Sequence, residues 1–158
     1  MALAISSGEY LNFKRNGKGK EYKEGFLVFE GEYKNGKRIN GNIKEFFKGK
    51  KIYEGEYKEG IRNGKGKEFK NGRIIFIGEF LKGKWWNGKG KEYNAEDKLI
   101  FNGEYFNGKI WSGNFFDYDK NGSIKIKIYN KGHLTFEGDY KDGKINGKGK
   151  EYGRTINI

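Results

Sequence analysis

Residues 53–69 read YEGEYKEGIRNGKGKEF. The first five letters run aromatic, charged, glycine, charged, aromatic, and the same pattern opens FEGEY at 29–33. A period of two sets Phe29, Gly31 and Tyr33 on one face of an extended chain and Glu30 and Glu32 on the other. Glycine inside a strand weakens it, so it marks a close approach of another group. Between two aromatics it leaves a slot that a ring of a neighbouring unit can fill. Asn35-Gly36, Asn71-Gly72 and Asp142-Gly143 are dipeptides that adopt positive φ and close hairpins. Apolar spacing of the helical kind is absent throughout.

The pattern recurs. GEYLNFKRNGKGKEY (8–22), FEGEYKNGKRINGNIKEFF (29–47), FIGEFLKGKWWNGKGKEY (76–93), FNGEYFNGKIWSGNFF (101–116) and FEGDYKDGKINGKGKEY (136–152) align with it. The first glycines are Gly8, Gly31, Gly55, Gly78, Gly103 and Gly138, at intervals of 23, 24, 23, 25 and 35. The first four intervals are those of a solenoid, and the last exceeds one period by about half a repeat. A lone hairpin is marginal in water, whereas hairpins stacked edge to edge bury their aromatics together. The expected fold is all-β: an elongated single-sheet meander of stacked β-hairpins, about six repeats with one irregular half-repeat. The repeats fall near 8–28, 29–52, 53–75, 76–100, 101–135 (irregular) and 136–158, in a single array over 1–158. In the irregular one, KIKIYNKGHLTFEG (125–138) aligns with KGKEFKNGRIIFIG (65–78), as if a strand had been lost or gained.

Composition narrows the function. The 158 residues include no Cys and no Pro, 27 Gly, 13 Phe and 11 Tyr, with a formal charge of +12. Without cysteine there is no disulfide framework and no thiolate zinc site. The aromatic content separates the chain from disordered polycations. No apolar run is long enough to span a bilayer, and MALAISS lacks the basic start of a signal peptide. The expected setting is cytoplasmic, with peripheral membrane contact as the variant.

With these residues in place, the chain resembles the MORN repeat family over nearly its whole length. Tyr53, Gly55 and Tyr57 match the aromatic-x-Gly-x-aromatic opening, Gly60 the turn glycine, and Gly64 with Gly66 the closing Gly-x-Gly. Phe76, Gly78, Phe80, Gly83, Gly88 and Gly90 repeat the match, as do Phe136, Gly138, Tyr140, Gly143, Gly147 and Gly149. The second aromatic is Tyr or Phe where the family favours Trp. Asn42-Ile43 and Asn114-Phe115 replace the Lys-Gly step in two units, which bears on strand register. The resemblance implies a non-enzymatic binding module for protein association or self-association. Its alternatives are adsorption to anionic phospholipid membranes, and a bacterial immunity or antitoxin-type inhibitor that binds an acidic protein target. No cofactor is expected.

Several motifs invite sharper readings. NGKGKE recurs at 16–21, 63–68, 87–92 and 146–151. GKWWNGKG (83–90) satisfies Gly-x4-Gly-Lys, but Gly90 stands where a P-loop needs Ser or Thr and no helix follows. Asp117, Asp119, Asn121 and Gly122 open like a calcium loop, yet its twelfth position is Ile128 rather than Glu, and a turn at Asn121-Gly122 is the simpler reading. His133, the one histidine, follows Gly132 at a turn and has no nucleophile partner in the pattern. Glu32, Glu56, Glu79 and Glu104 recur with the repeat and form a solvated ladder, unlike a catalytic pair in unequal environments.

Two sets remain as candidate sites. Trp85, Trp86 and Trp111 lie between the turn glycine and the Gly-x-Gly, and are either contact residues for a partner or covers for the core. Lys18, Lys20, Lys65, Lys67, Lys89, Lys91, Lys148 and Lys150 fall at equivalent places, where stacking lines them up as an anion-binding ladder on one side of the sheet. Nucleic acid is set aside, because the aromatics that would stack on bases are needed in the core. The N-terminal unit lacks the aromatic before Gly8 and reads as a cap. GRTINI (153–158) has Ile156 and Ile158 on one face, and unpaired sheet edges there favour self-association.

Overall fold

The turn dipeptides take the backbone geometry that their residues favour. Asn35 and Gly36 have φ 52° and 81°, Asn71 and Gly72 52° and 77°, Asp142 and Gly143 52° and 79°. Two positive φ values in succession give the turn whose twist matches that of the flanking strands. A computed structural model describes residues 4–153. The strands are β1 (Ala4–Leu11), β2 (Lys14–Lys23), β3 (Phe26–Lys34), β4 (Lys37–Phe47), β5 (Lys50–Lys58), β6 (Ile61–Lys70), β7 (Arg73–Leu81), β8 (Lys84–Tyr93), β9 (Leu99–Phe106), β10 (Lys109–Tyr118), β11 (Ile124–Asn130), β12 (His133–Lys141) and β13 (Lys144–Glu151). Their order in one antiparallel sheet is their order in the chain. This is the all-β meander of hairpins that the repeat predicts. The chain divides into two compact units, Met1–Trp86 and Asn87–Ile158.

In the first unit the aromatic two residues before the glycine of β3, β5 and β7 is the innermost residue. Phe29, Tyr53 and Phe76 are fully buried, and Tyr33 and Phe80 nearly so. Rings meet edge to face: Phe29 and Tyr33 at 5.2 Å, Tyr53 and Phe80 at 5.0 Å, Phe76 and Phe80 at 5.1 Å. The glycine slot exists, but its occupant differs from the expectation of a ring from a neighbouring unit. Gly55 pairs with Gly66 across β5 and β6. A Cβ on either would lie 2.6 Å from the hydroxyl of Tyr53, two residues before Gly55 on the same strand. The ring folds back over its own strand's glycine and the partner strand's glycine. At Gly19 the expectation holds, because a Cβ there would lie 3.0 Å from the Tyr33 ring of the next repeat.

Register follows the second glycine. In three units with an intact Gly-x-Gly, that glycine lies opposite the glycine of the preceding strand: Gly19 opposite Gly8, Gly66 opposite Gly55, Gly149 opposite Gly138. Where Ile43 or Phe115 replaces it, the first glycine takes its place, so Gly41 pairs with Gly31 and Gly113 with Gly103. The displaced side chains become core, with Ile43 4% exposed and Phe115 against Phe101 at 4.6 Å.

The second unit contains the irregularity, a whole additional strand. β11 pairs with β10 on one side and β12 on the other. In a meander, one inserted strand reverses the direction in which the next repeat enters. To keep its second strand on the growing side, that repeat must also turn over. Opposed residues in antiparallel strands share a face. Phe101, Phe115 and Lys127 are aligned, so the aromatic face of β9 and β10 continues onto the lysines of β11. On the other face Phe116 aligns with Ile126, Gly138 and Gly149, and Ile128 with Phe136. The apolar face therefore changes side within β10, between two consecutive aromatics. Phe115 packs on Phe101 and Tyr129, whereas Phe116 packs on Tyr140 at 5.4 Å.

Candidate binding surfaces

The aromatic face of the first unit is closed by a polar row. Glu21, Glu45 and Glu68 stand opposite Phe29, Tyr53 and Phe76, and each meets a residue 17 positions later. Arg38 binds Glu21 and lies over Phe29, with its guanidinium 5.1 Å from the ring centre. Arg62 donates through Nη2 to Glu45 at 2.6 Å, reaches Glu68 at 3.5 Å, and lies 4.4 Å over Tyr53. Trp85 takes the same place in the next repeat: its indole N–H donates to Glu68 at 2.6 Å and its ring stacks on Phe76 at 4.6 Å. Planar donors suit this position because they lie flat on a ring while reaching a carboxylate. Trp85 is conspicuous in the sequence, whereas the glutamates are not. Their constant 17-residue offset from Arg38, Arg62 and Trp85 was the available signal.

Burial pushes the Glu21 carboxyl up, but hydrogen bonds from Arg38 and Tyr33 and the charges of Arg38 and Arg15 outweigh it and hold its pKa below the usual range. The hydrogen bond from Lys51, against some desolvation, lowers that of Glu54. Burial pushes the Tyr53 hydroxyl up to about 12. A carboxylate with a depressed folded-state pKa adds stability above its unfolded value of about 4.3, and that stability is lost as pH falls through the folded value. Thermal unfolding should therefore show a lower midpoint at about pH 3 than at pH 7, with a smaller drop in Glu21→Gln. Equal drops would remove Glu21 from the acid response.

The opposite face of the first unit is a charge checkerboard. Lys18 stands opposite Glu32, Lys20 opposite Glu30, Lys65 opposite Glu79 and Lys67 opposite Glu54. Lys20 and Glu30 are in contact at 2.9 Å. A groove of about 600 Å³ crosses this face, with Val28 and Ile77 among its apolar lining and Glu54 and Lys67 among its charged residues. In the second unit Lys89 faces Glu104 and Lys91 faces Asn102, but Lys150 faces Glu137 on the other side of the sheet. The expected ladder on one side is thus broken in that unit by the turnover of the last repeat. Among the described residues, strand interiors carry 15 Lys or Arg and 14 Asp or Glu. The strand ends and connections carry 17 and 7. The excess positive charge stands at the hairpin ends.

A second groove, of about 770 Å³, lies in the second unit where the aromatic strip of β9 and β10 meets the lysines of β11 and β13. Phe101, Phe115 and Tyr129 line one side, and Lys127, Lys148 and Lys150 the other. Glu92 accepts the Tyr105 hydroxyl, and Glu137 accepts that of Tyr152 at 2.5 Å. Lys125 binds Asp139 at 3.3 Å.

The MORN repeat family pattern matches residues 29–38, 53–73 and 136–155. The chain carries MORN repeats at these three segments. Three matched segments, spread from the second repeat to the last, coincide with strands of the aromatic-x-Gly-x-aromatic type and their partners. MORN repeats are a non-catalytic module linked to the binding of proteins or membranes. No curated protein sequence matches the chain.

The other motifs serve the MORN hairpins. Lys84 to Gly90, within the Gly-x4-Gly-Lys string, lies on β8, a strand, where a P-loop needs a helix. The Asp119 carboxylate accepts the backbone N–H groups of Asn121 and Ser123 at 2.8 Å each and closes the connection to β11. His133 is an exposed first residue of β12. Trp86 is half-buried, and Trp111 is 37% exposed beside Phe106. Arg154 to Ile158, with the proposed association residues Ile156 and Ile158, lie outside the described residues.

Proposed function

We propose that this chain is a non-enzymatic module that binds a protein partner. The observation that carries this reading is the pairing of the NGKGKE lysines with glutamates of the next or preceding strand. A face of alternating charges around an apolar groove offers a register for a complementary protein surface. It offers little to a uniformly anionic sheet of lipid, since the paired charges largely cancel beyond a Debye length of about 8 Å. Affinity capture from native lysate at about 0.15 M salt tests it. A stoichiometric protein retained by wild type and lost on Lys65→Glu/Lys67→Glu supports the reading, and recovery of lipid or nucleic acid alone contradicts it.

Anionic membrane adsorption is the second reading, favoured by the cations at the hairpin ends. Each Lys near an anionic leaflet contributes about 1 kcal/mol. Co-sedimentation with phosphatidylserine vesicles at low salt should then fall when Lys34, Lys37, Lys82 and Lys84 are changed to Gln. It should change little when Lys65, Lys67, Lys89 and Lys91 are. The reverse order would return the anion-binding role to the strand lysines.

A further inference from the structure

We propose that the groove between the Phe101–Phe115–Tyr129 wall and Lys127, Lys148 and Lys150 binds an acidic segment of a protein partner through carboxylates flanking an apolar side chain. This rests on the protein-binding reading above and adds to it a second contact site, separate from the checkerboard groove of the first unit. The groove exists because β11 turns the last repeat over: an aromatic face and a lysine face, on opposite sides elsewhere, here run into one another on the same side. Three carboxylates line it: Glu92, Glu137 and Asp117, which stands opposite Lys125. Glu92 and Glu137 hold tyrosine hydroxyls, and Lys125 is held by Asp139. Lys127, Lys148 and Lys150 are exposed and make no ion pair among the described residues, although Lys150 lies 4.7 Å over the Tyr152 ring. Four lysines, Lys125 included, against these three carboxylates leave the lining with a net positive charge, next to rings that an apolar side chain can cover. A groove of about 770 Å³ is within the range that encloses such a side chain with its neighbours. Lysine ammonium groups on flexible stems suit carboxylates presented at several angles.

The probe is a short acetylated peptide of Asp and Glu flanking one Phe, labelled for fluorescence anisotropy and titrated with the full chain at about 0.15 M salt. Saturable binding is expected. It should weaken about tenfold or more in Lys127→Gln/Lys150→Gln, and when the probe's Phe is changed to Ala. It should be unchanged in Lys65→Gln/Lys67→Gln, with circular dichroism showing all variants folded. Equal losses in both lysine variants, or no saturable binding to wild type, overturns the proposal. So does displacement by inorganic pyrophosphate at the peptide's own concentration, which marks a simple anion site. Concentration-dependent dimerisation abolished by Lys127→Gln/Lys150→Gln overturns it too, because a second copy is then the occupant. The lysate capture separates the two readings. A partner still retained by Lys127→Gln/Lys150→Gln defeats the groove alone, and a peptide that binds a chain capturing no protein defeats only the broader reading.

Discussion

Gly55→Val should lower the thermal unfolding midpoint by roughly 10 °C, the shift expected for about 3 kcal/mol in a chain of this size. The backbone of Gly55 is not in the left-handed region, so the cost is steric. A Cβ would lie 2.5 Å from the Gly66 Cα, 2.5 Å from the Lys65 carbonyl oxygen and 2.6 Å from the Tyr53 hydroxyl. Two of these are backbone and cannot swing away. Separating the strands to admit the methyl groups breaks the ladder on both sides of Gly55, and moving Tyr53 exposes a fully buried ring. Gly72 makes the control. Its φ is 77° and a Cβ there meets nothing within 4 Å, so Gly72→Ala incurs only the left-handed penalty of about 1–2 kcal/mol. An unchanged midpoint for Gly55→Val would mean that Tyr53 does not lie over this pair.

Arg62→Ala should destabilise by about 2–3 kcal/mol, and Arg62→Lys should restore less than half of that. The side chain is 20% exposed and serves three partners: Glu45, Glu68 and the Tyr53 ring. Truncation leaves two partly buried carboxylates facing each other without a cation and uncovers the ring. Lysine returns the charge but cannot fork to Glu45 while lying flat on Tyr53. Glu45→Gln in the Arg62→Ala background should recover stability, because the unpaired charge goes with it. Urea unfolding of these four proteins and of Glu45→Gln alone completes the double-mutant cycle and gives the coupling. Full rescue by lysine would reduce Arg62 to a point charge.

Much of this architecture is legible in the letters. Aromatic-x-Gly-x-aromatic sets the faces, and Asn-Gly and Asp-Gly set the turns. What remained hidden depends on pairing between strands, which a single strand does not display. The equivalence of Lys18, Lys65 and Lys89 is plain in the sequence, but the glutamates Glu32, Glu79 and Glu104 come opposite them only once the hairpins are in register. Tyr53 could have filled the slot of a neighbouring unit. That it covers its own strand's Gly55 follows from its side-chain path, not from the spacing. The interval of 35 before Gly138 reveals added chain, but a loop and a strand lengthen an interval alike. Only a strand, by taking a place in the ladder, reverses the next repeat and sends Phe136 and Tyr140 to the other face.

That turnover places the second groove and divides the lysines between two faces, so it is the claim to test first. Aromatic nuclear Overhauser contacts, with Phe115 and Phe116 distinguished by selective labelling, report it directly. The Phe116 and Tyr140 rings, 5.4 Å apart between centres, should show cross-peaks, and Phe115 should show them to Phe101 and Tyr129. Cross-peaks from Phe115 to Tyr140, with none from Phe116, would put the last repeat on the same face as the others and contradict the account.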